Sequence, residues 1–188
     1  MTLLRHALLG TALAMLAVPA LAQDSNPLQN YRPVTDEMLR DPPPEDWLHW
    51  RRTFNNWGYS TLDQITKDNV GQLQAVWSRA LTDGPQEGTP LVHDGVMYMP
   101  HPRDVIDALD ATNGDLLWHY KRELPEKLPL ISTTRNIAIW NNLIVFNTKD
   151  NYLVALDAAS GQLVWETQVR DQNSWFWSTP GPIVVNGK

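Results

Sequence analysis

Asp107-Ala108-Leu109-Asp110-Ala111-Thr112-Asn113-Gly114-Asp115-Leu116-Leu117-Trp118 and Val154-Ala155-Leu156-Asp157-Ala158-Ala159-Ser160-Gly161-Gln162-Leu163-Val164-Trp165 share Ala-Leu-Asp-Ala, then Gly, Leu and Trp at the same places. Asp157 lies 47 residues after Asp110, and Trp165 lies 47 residues after Trp118. Upstream, Asp94-Gly95-Val96-Met97-Tyr98 and Asn141-Asn142-Leu143-Ile144-Val145 keep that offset. A third copy opens at Pro182-Ile183-Val184-Val185-Asn186-Gly187-Lys188. Each unit reads as short apolar strands parted by tight turns. In the second unit these are Asn136 to Trp140, Leu143 to Thr148, Leu153 to Asp157 and Gln162 to Gln168. The Asn and Gly residues between them accept the positive φ that hairpin turns demand.

Four strands per unit, at a blade-like period, predict an all-β fold, a β-propeller. A β-sandwich does not predict the same string twice. A large ring at one fixed place in each unit can dock on the next blade and give its indole N–H to a carbonyl there. Trp118, Trp165, Asp110, Asp157, Gly114 and Gly161 are therefore scaffold on this reading. A propeller needs about four blades or more to close. The sequence supplies two blades and the start of a third, so the chain is expected to be the N-terminal part of a longer protein or a truncated product.

Working outward, the first 22 residues carry Arg5, an uncharged apolar run from Ala7 to Val18, and Ala20-Leu21-Ala22 ahead of Gln23. That pattern is a secretory signal peptide, with an apolar run shorter than a membrane span requires. No membrane span is expected after cleavage. Residues 23–46 form a Pro-rich leader ending in Pro42-Pro43-Pro44, which favours an extended connector. Within it, Thr35-Asp36-Glu37-Met38-Leu39-Arg40 suits one capped helical turn. Residues 47–188 are the propeller portion: an opening segment 47–87, repeats 88–134 and 135–180, and the start of another blade at 181–188. In the opening segment, Thr66 to Val70 reads as a short helical turn. Gln72 to Ala80 reads as a strand with Leu73, Ala75 and Trp77 on one face.

Composition excludes several functions. The 188 residues hold no Cys, so there is no disulfide, thiolate metal site, cysteine nucleophile or c-type haem attachment. The net charge of −6 argues against nucleic-acid binding, which needs clustered Lys and Arg. His49, His93, His101 and His119 show no metal-ligand spacing and read as surface or strand-end residues.

The opening string Asp46-Trp47-Leu48, Arg51-Arg52-Thr53, Trp57-Gly58-Tyr59-Ser60-Thr61-Leu62-Asp63-Gln64-Ile65-Thr66, followed by Gln86-Glu87-Gly88-Thr89-Pro90-Leu91-Val92, resembles the quinoprotein alcohol dehydrogenases. The resemblance covers nearly all of the chain after residue 22. It implies a periplasmic enzyme on an eight-bladed propeller that oxidises an alcohol with PQQ and a bound Ca²⁺ or lanthanide. It also implies a periplasmic electron acceptor such as a cytochrome c. In that family the acidic residue of the Glu-x-x-Pro-Leu-Val motif and an Arg near the next blade's start contact the cofactor. Glu87 and Arg135 stand there, with Thr148 and Thr179 as hydroxyl candidates. Arg presents a planar fork that stabilises charge on quinone oxygens, and a Thr hydroxyl can donate to a carboxylate. Glu87 beside a tricarboxylate is electrostatically awkward unless it is protonated or bonds a ring N–H.

Many relatives carry adjacent cysteines where this chain has Pro129 and Leu130. The metal ligands, the catalytic Asp and the Trp beneath the cofactor are expected downstream, so this segment has no catalytic or metal residue to name. Trp175 and Trp177 suit either a substrate funnel or blade-edge packing. The rival functions are a non-catalytic propeller scaffold and an inactive truncation.

Overall fold

The computed structural model describes residues 26–126, 128, 133–171, 178 and 180–188. Eight strands lie within them: β1 (Leu91–His93), β2 (Val96–His101), β3 (Val105–Asp110), β4 (Leu116–Lys121), β5 (Ala138–Trp140), β6 (Leu143–Asn147), β7 (Tyr152–Asp157) and β8 (Leu163–Gln168). They form two four-stranded sheets in the orders β1-β2-β3-β4 and β5-β6-β7-β8, every pair antiparallel. Each sheet is a meander whose strands follow chain order, as a propeller blade requires. Pairing of His93 with Val96 leaves Asp94-Gly95 as a two-residue loop, and pairing of Trp140 with Leu143 leaves Asn141-Asn142. Asp94, Gly95 and Asn141 have φ of 51°, 79° and 53°, the conformation short hairpins need. Even the irregularity repeats: the register shift between Ala108 and Leu109 recurs between Ala155 and Leu156.

Alternation along the strands sets two packing faces. Val96, Tyr98, Ile106 and Ala108 of the first sheet join Ile139, Ile144, Phe146, Val154 and Leu156 of the second in one buried apolar cluster. Ala138, Val145 and Ala155 point to the second sheet's other face, where Val184 packs against them. Burial of each large side chain stabilises by about 1.5–3 kcal/mol. The Tyr98 hydroxyl crosses between the sheets to donate to the Ala158 carbonyl at 3.1 Å.

Tryptophan docking joins the units. Trp118 Nε1 donates to the same Ala158 carbonyl at 2.9 Å, and Trp77 Nε1 donates to Ala111, its counterpart one unit earlier, at 3.1 Å. The indoles lie over Gly161 and Gly114, where an added Cβ would come within 2.6 Å of a ring carbon. Both glycines are left-handed, at φ 71° and 78°, so the turn requires Gly for its backbone and for its clearance. Asp110 and Asp157 shape these turns by accepting the N–H of Thr112 and Ser160.

The expected strand over Gln72–Ala80 does not form. A short 3-10 turn occupies Val70–Gln72, and no ladder partner for 73–80 lies among the described residues. Alternation alone makes no strand without a neighbour to bond. Trp77 nevertheless reaches its docking place.

The leader is sewn onto both sheets. Val34 bridges to Asn141 and Trp47 to Val92. Helix α1 (Asp36–Arg40) begins at Thr35, whose Oγ1 accepts the Met38 N–H at 3.2 Å. Trp140 Nε1 donates to Asp36 at 3.0 Å, while Val34 and Leu39 are buried in the main cluster.

His93 and His101 do end strands, but both are buried, because each faces a carboxylate. His93 is fully buried, with Nδ1 2.8 Å from Asp46 Oδ2 and Nε2 2.7 Å from the Arg32 carbonyl. A carbonyl only accepts, so Nε2 carries a proton. Burial alone would raise Asp46, but the His93 bond and the Asp94 N–H outweigh it and hold the group below the usual carboxylate range. Both ring nitrogens therefore face acceptors, an arrangement that favours the doubly protonated, cationic ring. Burial opposes that charge, while Asp46 and the Arg32 carbonyl raise its pKa above the ordinary value.

Candidate functional site

The first strand of each sheet, β1 and β5, lies at one sheet edge, and the residues leading into those two strands meet. Glu87-Gly88-Thr89-Pro90 leads into β1, and Thr134-Arg135-Asn136-Ile137 leads into β5. The Thr89 N–H donates to the Arg135 carbonyl at 2.9 Å. Arg135 Nε donates to Glu87 Oε2 at 2.6 Å, and the two side chains are 49% and 42% exposed. The carboxylate thus faces a cation, which removes the electrostatic difficulty of placing Glu87 near an anionic ligand.

Each of these segments also packs backbone to backbone against a further neighbour, through a glycine. A Cβ on Gly88 would lie 2.3 Å from the Pro100 carbonyl oxygen, and one on Gly181 would meet the Asn136 carbonyl oxygen at 2.0 Å. Beside Arg135, the Asn136 Oδ1 is buried without a hydrogen-bond partner among the described residues. Asn136 lines a cavity of 260 Å³ with Leu48, Trp50, Phe54, Gly181 and Val184.

Thr148 lies elsewhere in the local network. It is buried, and its hydroxyl donates to Asp150 at 2.5 Å and accepts the Tyr152 N–H at 3.0 Å. Its first role is to lock the β6–β7 turn. Thr179 lies outside the described residues, as do Pro129, Leu130, Trp175, Trp177 and the leading 22 residues.

Behind the pair sits a polar cluster that spans the sheets. Arg122, just after β4, holds Asp150 with two bonds of 2.8 Å and Glu166 of β8 with one of 2.7 Å, and lies over the Tyr152 ring. Burial works against its charge, but the bonds to Asp150 and Glu166 raise its pKa. Asp104, in the β2–β3 turn, is 2% exposed. Its Oδ2 accepts the Lys149 N–H at 2.6 Å, and its Oδ1 accepts the Thr134 hydroxyl at 3.3 Å. Burial, with the Asp150 charge adding to it, pushes Asp104 up to about 6 against the lowering pull of Lys149, Thr134 and Arg122.

A second carboxylate sits between two imidazoles inside the first sheet. Asp107 Oδ1 is 2.6 Å from His119 Nδ1. Asp107 Oδ2 is 3.2 Å from His101 Nε2, off the line of a hydrogen bond.

Asp104 and Thr134 are the site residues that the sequence reading passed over. Thr134 had a signal, for it stands 47 residues after Glu87, at the repeat's own offset. Asp104 had none, because its partners lie 30 and 45 residues away.

Two meander blades joined by docked tryptophans, with an Arg–Glu pair where their first strands begin, define a sector of a β-propeller. The family model described as PQQ, glucose/ethanol/alcohol dehydrogenase, beta-propeller domain, matches residues 47–169. The chain belongs to this family of PQQ-dependent alcohol dehydrogenases. It is 40% identical over 157 residues to the alcohol dehydrogenase (quinone), dehydrogenase subunit, of Gluconobacter oxydans, covering 77% of this chain and 21% of that protein. It is 36% identical over 186 residues to the quinohemoprotein alcohol dehydrogenase ADH-IIG of Pseudomonas putida, covering 94% of this chain and 25% of that one. A europium-containing methanol dehydrogenase superposes with a TM-score of 0.74 at 27% identity, over 81% of this chain and 28% of that one. The chain therefore spans a quarter or less of the curated relatives named here.

Proposed function

We propose that this chain supplies one sector of a periplasmic quinoprotein dehydrogenase that oxidises an alcohol and passes electrons to a cytochrome c. The observation that carries this reading is the Glu87–Arg135 pair on the segments that lead into the first strands of two successive sheets. The half-exposed guanidinium suits a flat ligand bearing carboxylates and carbonyls. When bound, PQQ supplies an electrophilic ortho-quinone that accepts two electrons from the alcohol. Arg135 holds positive charge beside that group, and Glu87 fixes the direction of the guanidinium through Nε. Thr148 acts at one remove by bracing its turn, and Thr179 is assigned as a further hydroxyl donor to the cofactor.

Ligands of the Ca²⁺ or lanthanide are assigned to the rest of the enzyme; the europium in the methanol dehydrogenase neighbour supports a metal. The quinohemoprotein relative supports a haem-bearing acceptor. Periplasmic export rests on residues 1–22. Among the described residues no helix is long and apolar enough to cross a membrane.

The test is a chimera in which residues 26–188 replace the matching segment of the Gluconobacter oxydans dehydrogenase subunit. Alcohol-dependent dye reduction that needs added PQQ is expected, with a loss of at least tenfold in Arg135→Ala. A folded chimera without that activity contradicts the proposal and favours a binding scaffold. The isolated chain, holding only part of the ring, is expected to retain PQQ weakly.

A further inference from the structure

We infer that Asp104 is a positioning residue for Arg135, acting across the blade boundary through the Thr134 hydroxyl and the Lys149 backbone. The inference rests on the reading that Arg135 faces PQQ, but its geometry stands apart from any ligand. Arg135 is half exposed, and a long side chain in that state has many rotamers to choose from. The backbone from which it leaves and the bond to Glu87 both bear on its direction.

That backbone is anchored one residue earlier. Thr134 is buried and donates to Asp104 Oδ1 at 3.3 Å, while Asp104 Oδ2 takes the Lys149 N–H at 2.6 Å. One carboxylate from the first sheet therefore ties together two separate segments of the second. The first carries Arg135, and the second is the β6–β7 turn.

The carboxylate is itself held from several sides. Arg103 and Asp104 adopt left-handed φ of 65° and 55°, unusual for two consecutive non-glycine residues. The Asp104 carbonyl accepts the Arg122 N–H at 3.2 Å, and Arg122 fixes the same β6–β7 turn through Asp150. A buried carboxylate beside Asp150 is costly, with the pKa displaced upward as a result. Simple packing is served better by an apolar side chain at this place. What the carboxylate adds is two directed acceptors, one for each segment.

The test uses the whole chain and follows the Arg135 Nε–H signal by ¹H–¹⁵N NMR, assigned by its loss in Arg135→Lys. In the parent chain the bond to Glu87 shifts this signal and slows its hydrogen exchange. Asp104→Asn and Thr134→Val are expected to speed exchange at least fivefold and move the signal toward that of free arginine. Thr134→Ser, which keeps the hydroxyl, is expected to restore it. If both disruptive variants lower the melting temperature and leave the Arg135 signal unchanged, Asp104 is a stabilising contact only and the inference is overturned. Should Asp104→Asn fail to fold, the Val and Ser pair at Thr134 decides the matter alone. Weakening of PQQ in the chimera by Asp104→Asn, at least threefold, is expected in parallel. A chimera that never binds PQQ sinks the functional proposal, while the Arg135 signal still decides the positioning role.

Discussion

The two blades have the same strand order, the same bulge and the same Gly-x-Leu-x-Trp pattern, yet their fourth strands meet different surroundings. Trp118 is 8% exposed, seated on Gly161 with its N–H on Ala158, while Trp165, its counterpart in the repeat, is 38% exposed. β8 is exposed along its whole length, whereas β4 buries the Trp. An identical motif is thus worth different amounts in the two places. A blade's tryptophan stabilises through the glycine turn of the following blade, so the repeat's energy resides at the junctions between blades.

The sharpest way to break that comparison is to delete each indole in turn. Trp118→Ala is expected to lower stability by about 3–5 kcal/mol, the range for removing a buried aromatic, and Trp165→Ala by about 1 kcal/mol, both read from urea denaturation. Equal effects would show that the blade junction is not where the energy lies. Next in size is the glycine under the ring. Gly161→Ala is expected to cost about 2–4 kcal/mol, from the left-handed φ and the overlap with Trp118. Gly95→Ala, at φ 79° with nothing within 4 Å of the added Cβ, is expected to cost about 1 kcal/mol from backbone strain alone.

A smaller effect distinguishes the first sheet, which alone carries the buried His93–Asp46 pair. The folded pKa of His93 is raised, so its contribution is complete below the ordinary histidine range and fades as pH climbs through the raised value. The urea midpoint is expected to fall with rising pH above about 6.5, with the slope absent in His93→Gln. The buried Asp104 acts in a lower window. Its folded pKa of about 6 exceeds the unfolded value, so stability drops as pH rises from the ordinary carboxylate range through about 6. Smallest of all is Arg135→Ala, expected to change stability by about 0–1 kcal/mol because the pair with Glu87 is half exposed.

These differences also explain what could be read from the residues beforehand. Strand limits in the second blade came within two residues, because alternation and Asn or Gly turns are local signals and the repeat states them twice. Tryptophan docking was legible for the same reason. Glu87 and Arg135 were singled out through their resemblance to a family motif, and their pairing across 48 residues needed the fold. The span 72–80 was misread because alternation reports a face without reporting a partner strand. His93 does end a strand, but its burial left no mark because its partners, Asp46 and the Arg32 carbonyl, stand 47 and 61 residues away on the leader. Long-range polar pairing leaves no periodic mark in a sequence.

On the proposed function, the segments leading into β1 and β5 form part of a PQQ-binding surface through Arg135. Its most direct measurement is a PQQ titration of the purified Gluconobacter oxydans chimera carrying residues 26–188, followed by the cofactor's absorbance. The account predicts saturation near one PQQ per chain, weakened at least tenfold by Arg135→Ala while thermal melting stays unchanged. Equal affinity in the parent and Arg135→Ala proteins, both fully folded, would contradict it.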